Sequence, residues 1–374
     1  MKKKLLMLLP CIALLASCGN AESNGPTLPS GGKEATSDEE KVAAYSEIEN
    51  VATLPTVLEN GILQSKGSVS LNASAKQAIE GYVSYDVAVN FSTDYKITYV
   101  MPDGDLSMLN FGKVFLEISK FNLDAKANVK FANETIEPIN VNVKISNLKF
   151  SVLADSESNK VFLDLSDKSV KPAVVSVANI VLKYAYSIDL TDENLAIYYD
   201  RIIPEHGHVY IDLSQLQLPS YGYNSVPDRA DAGSSSSMSG IAQITRYISS
   251  AIEYFIVKNN IKFYNYDNGD VGISADINTA DINALAQEFG YPGTLIQGNN
   301  NASLQAAFLI GDSMVKKADI RISVSYEGYN ASLKILEEMS APETIDIPSA
   351  EDYVNAKDLT DFINALVLQA PALR

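Results

Sequence analysis

Alternation of apolar and polar positions dominates the chain. Gly67 to Ala73 puts Val69, Leu71 and Ala73 on one face. Tyr82 to Phe91 puts Val83, Tyr85, Val87, Val89 and Phe91 on one face and Ser84, Asp86, Ala88 and Asn90 on the other. A period of two is the signature of a strand buried on one side. Asp94 to Met101 continues it, and Pro102-Asp103-Gly104 marks a turn. Lys113 to Phe121 and Asn122 to Phe131 follow as strands, the second with Leu123, Ala125, Ala127 and Val129 in phase. Ile139, Val141, Val143 and Ile145 alternate, but Leu148, Phe150 and Val152 carry the opposite phase, which predicts a bulge near Asn147. Val161 to Leu165 is a further strand.

The period then changes. Val170, Val174, Val177, Val181 and Tyr184 recur at steps of four and three, the apolar stripe of a helix, and Ile241, Ile244, Ile248, Ile252 and Phe255 repeat the pattern. Strands are predicted near Leu195 to Ile202 and His208 to Leu213, and residues 221–240, with the run Ser234 to Ser237, read as a mobile loop. Ile261 to Tyr266 and Val271 to Ile277 flank Asp267-Asn268-Gly269-Asp270, a hairpin whose Asn-Gly pair predicts a type I′ turn. Asn278 or Thr279 caps a helix to about Phe289. Ser303 to Ile310, Lys316 to Tyr326 and Tyr329 to Leu336 form a meander with turns at Gly311-Asp312 and Glu327-Gly328, and a final helix runs from about Ala350 to Val367. A shorter helix is expected from Val42 to about Val51. The segment NKVFLDLSDKSV from Asn159 is echoed by GHVYIDLSQLQL from Gly207, in each case a strand ending in a cap-like serine. The predicted class is α+β, with long antiparallel strands and a few amphipathic helices.

The first 20 residues do not fit this pattern. Lys2, Lys3 and Lys4 precede an apolar run from Leu5 to Leu15 that is too short to span a bilayer, followed by Leu15-Ala16-Ser17-Cys18. This resembles the lipobox of bacterial lipoproteins. The resemblance implies a signal peptide over 1–17, cleavage before Cys18, a diacylglycerol on its thiol and acylation with fatty acid such as palmitate. It places the protein outside the cytoplasm, at the cell membrane or cell surface. Gly19 to about Glu40 is polar and acidic with Pro and Gly, and is expected to be a disordered tether over 18–40 ahead of a β-rich α+β domain over 41–374.

Composition narrows the chemistry. The formal net charge is −17, and the three lysines that would leave with the signal take it to −20. An acidic protein of this kind lacks the basic face that nucleic acid requires, so no nucleic-acid partner is expected. Cys11 and Cys18 are the two cysteines, which leaves no thiol nucleophile and no disulfide after cleavage and lipidation. The two histidines, His206 and His208, are a weak candidate metal pair with Glu205 or Asp212 nearby. Pro204 and Gly207 instead mark a solvated turn, and no metal or cofactor is expected. So few histidines leave little material for Ser-His-Asp catalysis, no phosphate-binding glycine loop is present, and Asp267 to Asp270 do not meet the calcium-loop pattern. No pair of carboxylates stands out as a glycosidase would need, and the chain has no tryptophan.

Long antiparallel strands, amphipathic helices, an N-terminal anchor and the strand Tyr210 to Ser214 together resemble the LolA/LppX-like half-barrel lipoproteins and lipid carriers. That resemblance implies a curved sheet wrapped around helices, leaving an apolar cavity, and carries no functional residue over. A tubular lipid-binding fold with a long helix on a twisted sheet is the competing picture. The functional expectation is a non-catalytic lipoprotein that binds a lipid or other apolar ligand, with Val87, Val89, Val141 and Val143 as lining residues. The alternative is a structural or protein-interaction lipoprotein of the cell surface.

Overall fold

A computed structural model describes residues 26–53, 61–101, 112–133, 135, 137–186, 188, 190–215, 251–291, 293–312, 314–342, 344–345, 352–357 and 360. The signal, Cys18, the loop 221–240 and most of the last helix lie outside the described residues, as do the apolar positions 241–248.

The strands are β1 (Lys33–Glu34), β2 (Ile62–Ile79), β3 (Val83–Val100), β4 (Lys113–Phe131), β5 (Ile139–Asp155), β6 (Lys160–Asp164), β7 (His208–Asp212), β8 (Ile261–Asn265), β9 (Val271–Asn278), β10 (Asn301–Gly311), β11 (Met314–Tyr326), β12 (Tyr329–Ser340) and β13 (Val354–Asn355). They form one open, curved sheet of 13 strands in the order β1-β8-β9-β10-β11-β12-β2-β3-β4-β5-β6-β7-β13. Two meanders, β2 to β7 and β8 to β12, are joined side by side where β12 pairs antiparallel with β2. Every pairing is antiparallel except β13 on β7. The helices are α1 (Asp38–Thr53), α2 (Val170–Tyr186), α3 (Asp192–Ile202) and α4 (Thr279–Glu288), with a fifth helical stretch over 251–257. The α+β class with a large curved antiparallel sheet is therefore what the chain adopts.

The two stretches 113–121 and 122–131 are one 19-residue strand. Its pairing with β5 shifts register between Ile118 and Leu123, opposite Asn147, which takes a positive φ of 54°. The bulge thus sits where the apolar phase changes. It allows Leu148, Phe150 and Val152 to return to the face occupied by Val141, Val143 and Ile145.

Four expectations need correction. The stretch predicted as a strand at Leu195 to Ile202 is the helix α3. Thr191 caps it by accepting the Asn194 N–H at 3.3 Å, Asp192 and Glu193 occupy its first turn, and Arg201 its last, each favourable to the helix dipole. Local capping outweighed the β-favouring Ile and Tyr residues. Second, the tether expected through Glu40 joins the fold earlier. Lys33–Glu34 pairs with β8, Ala35 is 2% exposed, and Ser37 opens α1 with a capping box in which Ser37 Oγ and the Glu40 carboxylate each accept the other's backbone N–H. Third, residues 352–356 do not begin a helix: β13 lies parallel to β7, and the Ala356 N–H donates to the Tyr210 carbonyl at 2.9 Å. Fourth, the hairpin at Asn268-Gly269 is present, but of its central residues Gly269 takes the positive φ and Asn268 does not. Tyr266 N–H donates to Asp270 O and Gly269 N–H to Tyr266 O, so the loop has three residues, 267–269, and needs one left-handed residue, Gly269, rather than the two of a type I′ turn.

The sequence echo is a pair of neighbouring strands. β6 pairs with β7, Phe162 opposite Tyr210. Each ends in an Asp-x-Ser turn, Asp164 Oδ1 accepting from Ser166 N and Oγ at 3.0 and 2.6 Å, and Asp212 Oδ1 from Ser214 at 2.9 and 2.5 Å. The Ser214 hydroxyl and amide hold the Asp212 carboxyl below its ordinary range.

The inner face, defined by the helices packed on it, carries three apolar regions. At one end Phe263 and Val271 are buried with Ala35 and Ala44 beneath α1 and Ile256. At the other Val209 is fully buried with Ile203 and Ala356, and Tyr199 and Ile202 of α3 cover it. Between them lies the site described below. Tyr95 also projects from this face, opposite Gly67. Burial and then the Glu337 charge push its phenol up to about 12. The neutral phenol is favoured only in the folded state, so stability present below pH 10 is expected to fall as pH rises from there toward 12. Phenolate absorbance should show a component ionising near pH 12 that Tyr95→Phe removes. A Tyr95→Phe difference spectrum centred at pH 10 would refute this.

Candidate functional site

Residues directly opposite in an antiparallel ladder share a face, so the register assembles the site. One row runs Val143, Ala125, Val89, Ala73, Ala331 and Val324 across six strands. The next runs Val141, Ala127, Val87, Ala75, Tyr329 and Tyr326. On the other side is a row of larger side chains, Ile145, Leu123, Phe91, Leu71, Leu333 and Ile322. In these rows β2 presents Ala73 and Ala75 and β12 presents Ala331, whereas the adjoining strands β3 and β11 present Val87, Val89, Val324 and Tyr326. The sheet therefore holds a trough over β12 and β2 with raised walls.

This trough is a half-open groove of about 750 Å³ over β10, β11, β12, β2 and β3. Its size falls in the range of small-molecule sites. Val87 and Val89 line it; Val141 and Val143 lie on the same rows two strands away and are not part of its wall. One end wall comes from Ile282 of α4 and Ile296. Asn278 sets α4 in place by accepting the N–H groups of Ala280 and Asp281 at 2.8 and 3.3 Å, while Asp281 accepts the Asn278 N–H. The Asn283 amide then clamps Ile296, its Nδ2 donating to Ile296 O at 3.0 Å and its Oδ1 accepting Ile296 N–H at 2.8 Å.

The rim is polar and neutral. Glu327 and Gly328 both take positive φ, 42° and 88°, as a two-residue type I′ turn requires, and this fixes Tyr326 opposite Tyr329. A Cβ on Gly328 would meet the Lys76 carbonyl at 2.7 Å, so the turn is held against β2 at a residue without a side chain. The Tyr329 and Tyr85 hydroxyls hydrogen-bond to each other and stand 2.8 and 2.6 Å from Gln77 Oε1, so one phenol donates to the other and that one donates to Gln77. The bond to Tyr329 and burial push the Tyr85 phenol up, away from ionisation. Among the described residues no Asp, Glu, Lys, Arg or His lines the groove.

The histidine pair is elsewhere. His208 lies on the outer face of β7, its Nε2 3.4 Å from Asp164 Oδ1 and its ring stacked on Tyr353 at 5.1 Å. His206 Nδ1 accepts the His208 backbone N–H at 3.1 Å, so one of its ring nitrogens is already committed. The Gly207 N–H donates to Pro204 O in the turn that Pro204 and Gly207 mark. Among the described residues no group of three or more His, Cys, Asp or Glu is placed to hold a metal.

Sequence reasoning put Ala73, Ala125 and Ala127 on apolar strand faces but singled out no alanine as a site residue. Their signal was present, since Ala73, Ala75, Ala125, Ala127 and Ala331 all fall at inward-facing strand positions. The helix α2 is a further difference. Its predicted apolar stripe is buried at Val170 alone, while Val174, Val177, Val181 and Tyr184 are each more than 40% exposed; Ala173 and Val175 are buried.

The sequence matches no protein-family model and no curated protein. Among solved structures, the chain is similar to a β-barrel-like protein of the domain of unknown function DUF1849 from Brucella abortus, at 8% identity, covering 74% of this chain and 97% of that one, with a TM-score of 0.13.

Proposed function

We propose that this chain is a lipid-anchored, extracytoplasmic lipoprotein that binds a lipid or other apolar ligand in the groove between α4 and β3, without catalysis. The observation that carries the reading is the groove: a half-open volume of about 750 Å³ floored by alanine and valine, with no charged side chain among its described lining residues. Transfer of apolar surface into such a site contributes about 25 cal/mol per Å² buried. An uncharged site also offers no general acid, base or metal ligand. The Leu15-Ala16-Ser17-Cys18 sequence supports the anchor, the lipidated Cys18 tying the protein to a cell membrane or cell surface.

The test is native mass spectrometry with lipid extraction on the full chain purified without detergent, alongside incorporation of labelled palmitate in its bacterial host. Near-stoichiometric apolar ligand is expected, and Ala73→Phe, which fills the trough from its floor, should reduce occupancy at least tenfold with little change in melting temperature. Label should be lost in Cys18→Ser. A protein that is apo and stays apo with added lipid refutes the groove reading. A second reading, a surface protein that binds another protein, is favoured by the exposed apolar stripe Val174, Val177, Val181 and Tyr184 on α2. It would take the place of the first on that outcome.

A further inference from the structure

We infer that the groove's occupant is an uncharged amphiphile, an acyl chain ending in hydroxyl or ester oxygens as in an acylglycerol, with its tail along the alanine trough and its polar end at Tyr85, Tyr329 and Gln77. This rests on the apolar-ligand reading above and adds which class of lipid the site selects.

The length of the floor sets the tail. From β3 to β10 the groove crosses four inter-strand steps, ~19 Å at the spacing of paired strands. That is the reach of one extended tail of fatty-acyl length. The tail would lie across the strands, between the tyrosine side and the larger row containing Leu71, Leu333 and Ile322.

Charge sets the head. A carboxylate or phosphate placed in the groove would lose its water and find no cation among the described lining residues. The lysine beside the rim, Lys76, alternates to the outer face and stands 3.6 Å from Asp86 there. The whole chain carries −17, so its field also opposes an anion. An ammonium head fares no better, since no carboxylate lines the groove.

The rim offers what a neutral head uses. The two phenols spend their hydrogens within the cluster, one on the other hydroxyl and one on Gln77 Oε1, which leaves hydroxyl lone pairs as acceptors. The two N–H groups of the Gln77 amide remain as donors for an ester carbonyl or a hydroxyl oxygen. Donors and acceptors thus stand at one place, on the same face as Val87 and two residues along β3 from it.

The experiment compares 1-monooleoylglycerol with oleate at pH 8 on the full chain, by native mass spectrometry and by displacement of a bound apolar dye. The two probes share one tail and differ in the charge of the head. The glycerol ester is expected to bind at least tenfold more tightly. In the double variant Tyr85→Phe, Tyr329→Phe the rings stay and the hydroxyls go, and most of that preference should vanish while oleate affinity changes little. Oleate binding as tightly as the ester, or a preference untouched in a folded double variant, overturns the inference and leaves the apolar groove standing. Binding of neither probe overturns the groove reading itself. If the double variant does not fold, the comparison of the two probes on the parent chain still decides.

Discussion

Replacing Arg321 by methionine is expected to destabilise the fold by about 3–5 kcal/mol, the cost of leaving a buried charge without its partner. Arg321 Nε and a terminal nitrogen donate to the two oxygens of Asp319, both at 3.0 Å, in a bidentate pair within one strand. Their side chains are 12% and 11% exposed, so little water reaches the carboxylate once the guanidinium is gone. The pair lies on the outer face of β11, where Asp319 is opposite the buried Ala307. Asp319→Leu alone should also be costly, because it strands the cation. The double variant Asp319→Leu, Arg321→Met should recover most of the loss, since buried ion pairs are commonly replaceable by apolar groups of similar volume. Equilibrium urea denaturation of the three variants gives the cycle. Single-variant losses below about 1 kcal/mol would mean that solvent reaches the pair, and the burial argument would fail.

The strands were legible because a period of two is short and each has one wet face. The meander Ser303 to Leu336, the turn at Glu327-Gly328 and the bulge at Asn147 all follow from local residues, and each is where the pattern puts it. Helix α3 was misread because its apolar positions Leu195, Ile197 and Tyr199 also satisfy strand alternation; what separates the two readings is the cap at Thr191, a single hydrogen bond. The stripe on α2 was read correctly as a helix face, but whether that face is covered was not legible. Periodicity reports which residues share a face but is silent on whether another element covers it, and here Val174, Val177 and Val181 stay exposed.

The candidate site shows the same division. Val87 and Val89 were found because inward-facing valines are visible in one strand. The groove itself depends on cross-strand register, which brings Ala73 beside Ala331 although they are far apart in sequence. No property of either segment alone indicates that two alanine positions will be neighbours. The same is true of Tyr85, Gln77 and Tyr329, whose shared hydrogen bonds exist because β12 pairs with β2 rather than with any strand of its own meander on that side.

The second large effect is expected at the far end of the sheet, where Phe162→Ala should cost about 3–5 kcal/mol as a buried aromatic truncation. Phe162 is 5% exposed at the centre of the short strand β6, packed with Phe115 and Leu153 on the outer face. Tyr353 closes over it edge-on at 5.4 Å, and Tyr210 tilts against it at 5.8 Å. The strands on both sides are fixed by their ladders, so the walls of the vacated space have little freedom to collapse, which places the cost toward the upper part of that range. The consequence is directional. Tyr353 leads directly into β13, whose two residues pair with β7, so loss of the ring that Tyr353 rests on should loosen β13 before it loosens β5. Hydrogen exchange on the variant should show the Ala356 amide, bonded to the Tyr210 carbonyl at 2.9 Å, losing protection first while amides of β3 and β4 keep theirs. The groove lies on the opposite face and several strands away, so its lipid occupancy should survive at temperatures where the variant remains folded. Uniform loss of protection across the sheet would instead mean that the 13 strands open as one unit, with no separable edge.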